Sequence, residues 1–277
     1  MTIERAHPGW GLTRVLLGFA VLAEWLPRGP TVPERYSTAG ALFGSGPLPI
    51  PRWHPFSPTE AWVLFGVTLA GALLLITGRA NRTALVAILI ASSALLLHEW
   101  INTKAHDRLL FWELGILLFA PGGGRGDLPT THHAQTALRI LFCGIYGATG
   151  FNKLLTESEW LTGEALGWHL LTPNFANTPL DQWLSTHTLV LTVFGWFTML
   201  FECSFPFLIW FGRPRVPLLA AGVALHLGIH ALMNVGGFAW IAMASYPAML
   251  APEQVERFTA PFLAFWKQRM RFGRATG

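Results

Sequence analysis

Residues 188–211 read TLVLTVFGWFTMLFECSFPFLIWF, and Glu202 is the one charged side chain in this stretch. A helix needs about 20 predominantly apolar residues to cross the hydrocarbon core of a bilayer. The stretch therefore predicts a membrane-spanning helix. A charge inside such a helix is costly, which makes Glu202 the first candidate for a functional or paired residue.

The composition of the whole chain has the same character. Of its 277 residues 52% are hydrophobic and 12% are charged, with a mean hydropathy of +0.43, whereas soluble domains carry about 25% charged residues. Thirteen tryptophans fit a bilayer, where tryptophan collects at the interfaces. The basic residues punctuate apolar runs instead of forming one basic face, which argues against nucleic-acid binding. The composition predicts an all-α, polytopic protein embedded in a lipid bilayer.

Hydropathy along the chain predicts about eight spans and a short tail. A transmembrane bundle is expected over 1–251, followed by a basic tail at 252–277. The Pro-rich segment 28–59 is predicted to be extended or turn-like, and residues 154–187 are predicted to lie at the membrane interface. The predicted spans are 11–27, 60–77, 83–100, 106–120, 134–153, 188–211, 216–234 and 237–251.

The distribution of basic residues predicts the orientation. With eight spans, thirteen of the 19 lysines and arginines fall on one side of the membrane, and the positive-inside rule assigns that side to the cytoplasm. Both termini are then cytoplasmic, while segments 28–59 and 154–187 face outward. No small-residue cleavage site follows the first apolar stretch, so it is predicted to be a retained span. We expect a bacterial inner or plasma membrane protein whose active side faces outward.

Several ionisable residues fall inside the predicted spans. Glu113 and Arg139 are predicted to form a structural ion pair, and Glu202 is expected to hydrogen-bond backbone groups that a nearby proline frees. His226 and His230 have i, i+4 spacing and could share a metal. Core or substrate-contacting histidines are the favoured interpretation, and no metal site is predicted.

Lys153 stands apart from these residues. It is one of three lysines and lies in IYGATGFNKLL, near the outward end of a predicted span. Long lysines near helix ends commonly extend their amines to the interface. A lysine held in apolar surroundings can instead act as a base, and Gly150 would let neighbouring helices approach it closely. The sequence leaves both interpretations open.

Three segments are similar to one known family. They are AHDRLLFWELGILLF (105–119), GFNKLLTESEWLTGEAL (150–166) and MNVGGFAWIAMASYPAML (233–250). Together they resemble the horizontally transferred transmembrane (HTTM) domain family, whose best-known member is the vitamin K-dependent gamma-carboxylase. Matching positions include His106, Lys153, Trp160, Gly163, Met233, Asn234, Phe238 and Ala244 to Pro247. Ala105 and Asn152 stand where the carboxylase has asparagine and a second lysine.

The resemblance implies a membrane-embedded, quinone-dependent enzyme. By analogy, Lys153 is the base that deprotonates reduced vitamin K or menaquinone, and His106 stabilises the oxyanion. Dioxygen and carbon dioxide would be co-substrates, in a hydroquinone epoxidation coupled to proton abstraction and carboxylation. The resemblance also implies that four residues contact the lipid quinone: Trp160, His230, Asn234 and Phe238.

These implications give one leading function and one alternative. The leading prediction is a carboxylase-like or epoxidase-like lyase or oxidoreductase acting on an outward-side peptide or protein substrate, although the carboxylase's large lumenal domain has no counterpart in this sequence. We expect Lys153 and His106 to line one outward-facing cavity. The alternative is a non-catalytic membrane accessory protein for peptide or toxin maturation or immunity. A transporter is disfavoured because no inverted repeat is seen.

Overall fold

The computed structural model describes residues 7–40, 55–99, 103–120, 131–173, 175 and 178–261. These residues are mainly helical, and none of them forms a β-strand. A 3-10 helix, Leu26–Thr31, joins the first two α-helices, and residues 252–261 are helical as well. The α-helices are α1 (Pro8–Trp25), α2 (Val32–Tyr36), α3 (Pro58–Thr77), α4 (Asn81–His98), α5 (Ala105–Leu118), α6 (Thr131–Thr156), α7 (Glu159–Thr162), α8 (Glu164–Leu171), α9 (Pro179–Ser185), α10 (Thr188–Leu208), α11 (Gly212–Leu232), α12 (Phe238–Ala244) and α13 (Tyr246–Met249).

Five segments are long and apolar enough to cross a membrane, judged by length and composition over the described residues. They are Pro8–Tyr36, α3, α4, α10 and α11. Many large apolar side chains on these helices are exposed, Leu189 and Leu200 by more than 70%, as expected of surfaces that contact lipid. The predicted all-α membrane protein is confirmed. The count of eight spans and the cytoplasmic termini stay predictions.

Two of the predicted spans have shorter helices than expected. Helix α5 has 14 residues, about 21 Å at 1.5 Å per residue, which is less than the bilayer core of about 30 Å. The segment predicted as a span at 237–251 is broken at Ser245 into α12 and α13. Helix α6, in contrast, extends over 26 residues, beyond both limits of the predicted 134–153.

The start of the Pro-rich segment is helical, so the prediction of extended or turn-like backbone there is wrong. Pro30 lies inside the 3-10 helix, and Pro33 lies in the first turn of α2. Proline is tolerated at the start of a helix because its missing N–H would have no intrahelical partner there. Residues 41–54 of this segment are outside the described part of the chain, as are 121–130 and 262–277.

Helices α1, α3 and α4 pack side by side at one part of the bundle. Helix α3 begins at a capping box in which Ser57 and Glu60 satisfy each other's backbone N–H groups. It ends at Gly78, whose φ of 76° closes the last turn in the left-handed conformation that glycine favours. The tight turn that follows returns the chain directly into α4.

Helices α6 and α10 form the second close pair and position the candidate site. A Cβ atom added at Gly150 of α6 would lie 2.7 Å from Glu202 Cβ and 2.8 Å from the backbone nitrogen of Cys203. At Gly147, one turn earlier, an added Cβ would lie 3.0 Å from Pro206 Cγ. Small residues let helix backbones approach in membranes. The sequence-based expectation that Gly150 permits such an approach is confirmed.

Candidate functional site

Lys153 makes an ion pair with Glu202. Its Nζ atom donates to both carboxylate oxygens at 2.7 Å and lies 4.6 Å from the centroid of the Trp160 ring. The side chains of the two ionic partners are only 16% and 10% exposed. Helices α6, α10 and α7 each supply one residue, so the pair joins three elements of the bundle.

The ion pair lies well inside the length of α10. Glu202 is about 21 Å along the helix axis from Thr188, the first residue of α10. The Lys153 amine therefore ends on a carboxylate between helices, and the interpretation as a snorkelling lysine does not describe it. The expectation that Glu202 bonds freed backbone groups is also wrong, because its oxygens accept from Lys153.

Polar neighbours fix the ring beneath Lys153. Trp160 Nε1 donates to Glu157 Oε2 at 2.7 Å, and Asn152 Nδ2 donates to Glu157 Oε1 at 2.6 Å. Asn152 is the position at which the chain departs from the carboxylase's second lysine. In this protein it holds Glu157, which in turn orients the indole that Lys153 contacts.

His106 lies in a separate buried cluster. Its Nε2 atom is 3.2 Å from Glu24 Oε1, and the backbone N–H of Gly237 donates to Glu24 Oε2 at 3.1 Å. Arg28 Nη2 donates to Glu24 and, at 2.6 Å, to Asp107 Oδ1. Sequence reasoning assigned Arg28 to an outward loop and missed this role. The i, i+4 spacing of Glu24 and Arg28 is the signal that could have found it.

The charges in this cluster balance when His106 is protonated. Two carboxylates then face one guanidinium and one imidazolium, whereas a neutral His106 leaves one negative charge over. Ligand atoms of Glu24, His106 and Asp107 lie within 4.8 Å of one another, a spacing that a metal ion could use. Arg28 already contacts both carboxylates, so this donor set does not fit a metal in this arrangement.

The loop between α11 and α12 lies between the two clusters. On the Lys153 side, the ring of Trp160 is 5.9 Å from His169, which is 5.7 Å from Phe175. The Asn234 backbone N–H donates to the Phe175 carbonyl at 2.7 Å.

On the other side, a Cβ atom added at Gly236 would lie 3.6 Å from the His106 ring. Lys153 and His106 thus each bind their own carboxylate, and contacts from both sites lead to the same loop. That they line a common outward-facing cavity stays a prediction.

The two histidines of α11 have different surroundings. The Nε2 atom of His226 is 2.7 Å from the Tyr146 hydroxyl, and the edge of Phe238 packs on its ring at 5.3 Å. His230 instead packs on Trp240 at 5.0 Å between ring centroids. Among the residues that the structure describes, no cluster of three potential metal ligands includes either histidine.

The predicted ion pair between Glu113 and Arg139 is wrong. Arg139 Nη2 donates to the Met249 carbonyl at 2.8 Å. Both carboxylate oxygens of Glu113 are buried, and no described residue hydrogen-bonds to them. The sequence places both residues in predicted spans but cannot say which faces of α5 and α6 meet.

The second half of the chain matches a known protein family. Residues 127–253 match the HTTM domain. The predicted resemblance is therefore confirmed over this range, and the HTTM domain is the membrane-domain family of vitamin K-dependent carboxylase. The matched range contains Lys153, Trp160, Glu202 and the α11–α12 loop, while His106 lies before it. No curated protein and no solved structure matches the chain.

Proposed function

We propose that the protein is a membrane-embedded, quinone-dependent enzyme in which Lys153 is the base. The observation that carries this proposal is the Lys153–Glu202 pair, packed on Trp160 within the HTTM domain. Ionisable groups inside a membrane bundle are expensive and usually mark functional sites. A hydroquinone with a lipid tail can reach such a site from the bilayer.

The pair provides a way to make Lys153 a base. When the shared proton rests on Glu202, Nζ is a neutral amine with a free lone pair. That lone pair can take a phenolic proton from the hydroquinone, leaving an ammonium beside the newly formed anion. Glu202 keeps the shared proton during the transfer, so no ion needs to enter the site from water. Trp160 keeps the amine in place and limits its access to solvent.

His106 would act on the oxygen that gains negative charge. Its cluster with Glu24, Arg28 and Asp107 is neutral when the imidazole is protonated, and a protonated imidazole is a strong hydrogen-bond donor to an oxyanion. Bound reduced vitamin K or menaquinone would, together with dioxygen, supply a strong base. This base would remove a proton from the substrate, and carbon dioxide would then take the place of that proton. His230, Asn234, Trp160 and Phe238 are the proposed contacts of the lipid quinone.

One observation favours a non-catalytic accessory role instead. Both oxygens of Glu202 engage the Lys153 amine, and such a pair could serve only to hold α6 against α10. In that case a peptide or protein partner would be the relevant ligand, and no turnover of a hydroquinone would occur. The peptide or protein substrate of the enzyme is likewise part of the proposal.

The test is an activity measurement in lipid nanodiscs. Purified protein is incubated with reduced menaquinone, dioxygen and bicarbonate, and quinone epoxide is quantified. We expect epoxide from the unmodified protein and from Lys104→Ala, which removes an exposed lysine at the start of α5. Lys153→Ala should form none. Absence of epoxide with the unmodified protein contradicts the enzyme proposal, and epoxide formation by Lys153→Ala removes Lys153 from the role of base.

A further inference from the structure

A second group of buried polar side chains extends inward from the Lys153 site. Tyr146, Gly150 and Lys153 follow i, i+4, i+7 spacing and therefore lie on one face of α6. The Tyr146 side chain is buried, and its ring centroid lies 5.0 Å from that of Phe201, the residue before Glu202. The tyrosine is thus the next buried polar side chain on this face of α6, since Thr149 is exposed and donates to backbone carbonyls.

Tyr146 lies at the centre of a hydrogen-bonded chain. Its hydroxyl is 2.7 Å from His226 Nε2 and 2.8 Å from the Tyr246 hydroxyl. If His226 carries its proton on Nδ1, Tyr146 donates to Nε2 and accepts from Tyr246. If the proton is on Nε2, both donations reverse. Because each hydroxyl both donates and accepts, the chain can relay a proton without a large movement of any side chain.

Glu113 is the next polar group along this route. It is 0% exposed, and neither carboxylate oxygen has a hydrogen-bond partner among the described residues. Its helix, α5, packs against α6, which carries Tyr146, and against α12, which ends two residues before Tyr246. The Ser245 hydroxyl, which is also unpartnered, lies close enough to interact with its carboxyl group.

The surroundings of Glu113 indicate that it binds a proton. No lysine or arginine in the described part of the chain forms an ion pair with it. A buried carboxylate with no cation and no formed hydrogen bond is costly in an apolar interior, whereas the neutral acid is far less so. The Nδ1 atom of His226 is buried without a partner as well. Buried water commonly bridges such unpartnered groups.

We propose that Glu113 is a buried proton-binding site that exchanges protons with the Lys153–Glu202 pair through Tyr146 and Tyr246. In one relay step, a proton on Glu202 moves to Tyr146, directly or over a bridging water. Tyr146 passes its own proton to Tyr246, and Tyr246 passes its own over a bridging water to the Glu113 carboxylate. The net result is that Glu202 loses one proton and Glu113 gains one, with both tyrosines unchanged.

The relay is independent of the quinone, and its test uses none. Infrared spectra of the protein in nanodiscs are recorded in H₂O and after transfer to D₂O at neutral pH. We expect a carbonyl-stretch band of a protonated carboxylic acid, which Glu113→Gln removes. Should that variant fail to fold, Glu113→Asp keeps a carboxylic acid at this position, and ¹³C-labelling of glutamate should shift the band in the unmodified protein but not in Glu113→Asp.

The rate of deuteration tests the route. Tyr146→Phe removes the central hydroxyl, so the deuterium shift of the Glu113 band should be at least about tenfold slower. Tyr36→Phe changes a buried tyrosine outside the hydrogen-bonded chain of Tyr146 and Tyr246 and should leave that rate unchanged. If the Glu113→Gln spectrum keeps the band, Glu113 carries no proton and the proposal is wrong. Equal deuteration rates in Tyr146→Phe and the unmodified protein exclude the relay through Tyr146.

Discussion

Lys153 Nζ lies 2.7 Å from each of the two carboxylate oxygens of Glu202. The two residues are 49 positions apart in the sequence, on helices that can touch closely here because Gly150 carries no side chain. The geometry makes the lysine and the carboxylate one unit. A substitution of either residue therefore also changes the surroundings of the other.

Removing one partner of this pair should destabilise the fold more than removing both. Lys153→Met leaves the Glu202 carboxylate largely buried without a counter-ion, and breaking a buried pair on one side costs about 3–5 kcal/mol. We expect a loss of unfolding free energy toward the lower end of this range, because both side chains keep some exposure. The double variant with Glu202→Leu should recover much of the loss. Denaturant unfolding in detergent measures the difference, and simple additivity of the two single changes would show that the residues are uncoupled.

Gly150→Ala should separate α6 from α10. The added Cβ atom would meet Glu202 Cβ at 2.7 Å and the Cys203 backbone nitrogen at 2.8 Å, and backbone cannot yield as a flexible side chain can. Overpacking of this kind costs about 1–3 kcal/mol. Gly144→Ala, on the same helix, is the matched control because no atom lies within 4 Å of its added Cβ. Equal thermal stability of the two variants would contradict the close approach of the helices.

Arg28→Met should be more damaging than Arg35→Met. Arg28 is buried between Glu24 and Asp107, so its loss leaves two buried carboxylates without their cation, at about 3–5 kcal/mol. Arg35 is 32% exposed and pairs with one carboxylate, that of Glu99, which is 6% exposed, so its loss should cost less than the loss of Arg28. Chemical unfolding of both variants tests the ranking. A loss for Arg35→Met as large as that for Arg28→Met would contradict it.

The predicted orientation can be tested with single cysteines. Cys143 and Cys203, the two cysteines of the chain, are first replaced by serine. A cysteine at Arg79, in the turn between α3 and α4, should react with an impermeant maleimide only from the cytoplasmic side. A cysteine at Thr186, between α9 and α10, should react only from outside. The reverse pattern, or reaction of both from one side, would show that the orientation is wrong.

The membrane fold could be predicted from sequence because each spanning helix is indicated by its own residues. Long apolar runs such as 60–77 and 188–211 indicate spanning helices whatever packs beside them. The helical start of the Pro-rich segment was not predicted, because proline is read as a breaker unless its position in the first turn is known. The break at Ser245 has a similar explanation, because Pro247 lies in the first turn of α13 and was read as part of one continuous apolar run.

For the candidate site, the sequence singled out individual residues but not their partners. Lys153 and His106 stood out by residue type, position and resemblance, but their partners Glu202 and Glu24 depend on which helix faces meet. Sequence reasoning paired Glu113 with Arg139 because both are charged, and it lacked the rotation of α5 and α6 that turns them apart. Contacts between distant helices require tertiary packing, which one sequence does not reveal.

The ionisation of a bound phenol tests most directly whether Lys153 is a base. The probe is a monomethyl ether of reduced menaquinone, which keeps one phenolic hydroxyl and cannot be oxidised directly to the quinone. Its ultraviolet spectrum is followed against pH in nanodiscs containing the unmodified protein, Lys153→Ala or the control Lys104→Ala. With Lys153 present, the phenolate band should appear at lower pH than in empty nanodiscs, and Lys153→Ala alone should abolish that shift. A phenol that ionises at the same pH with the unmodified protein and with Lys153→Ala would contradict the proposed base.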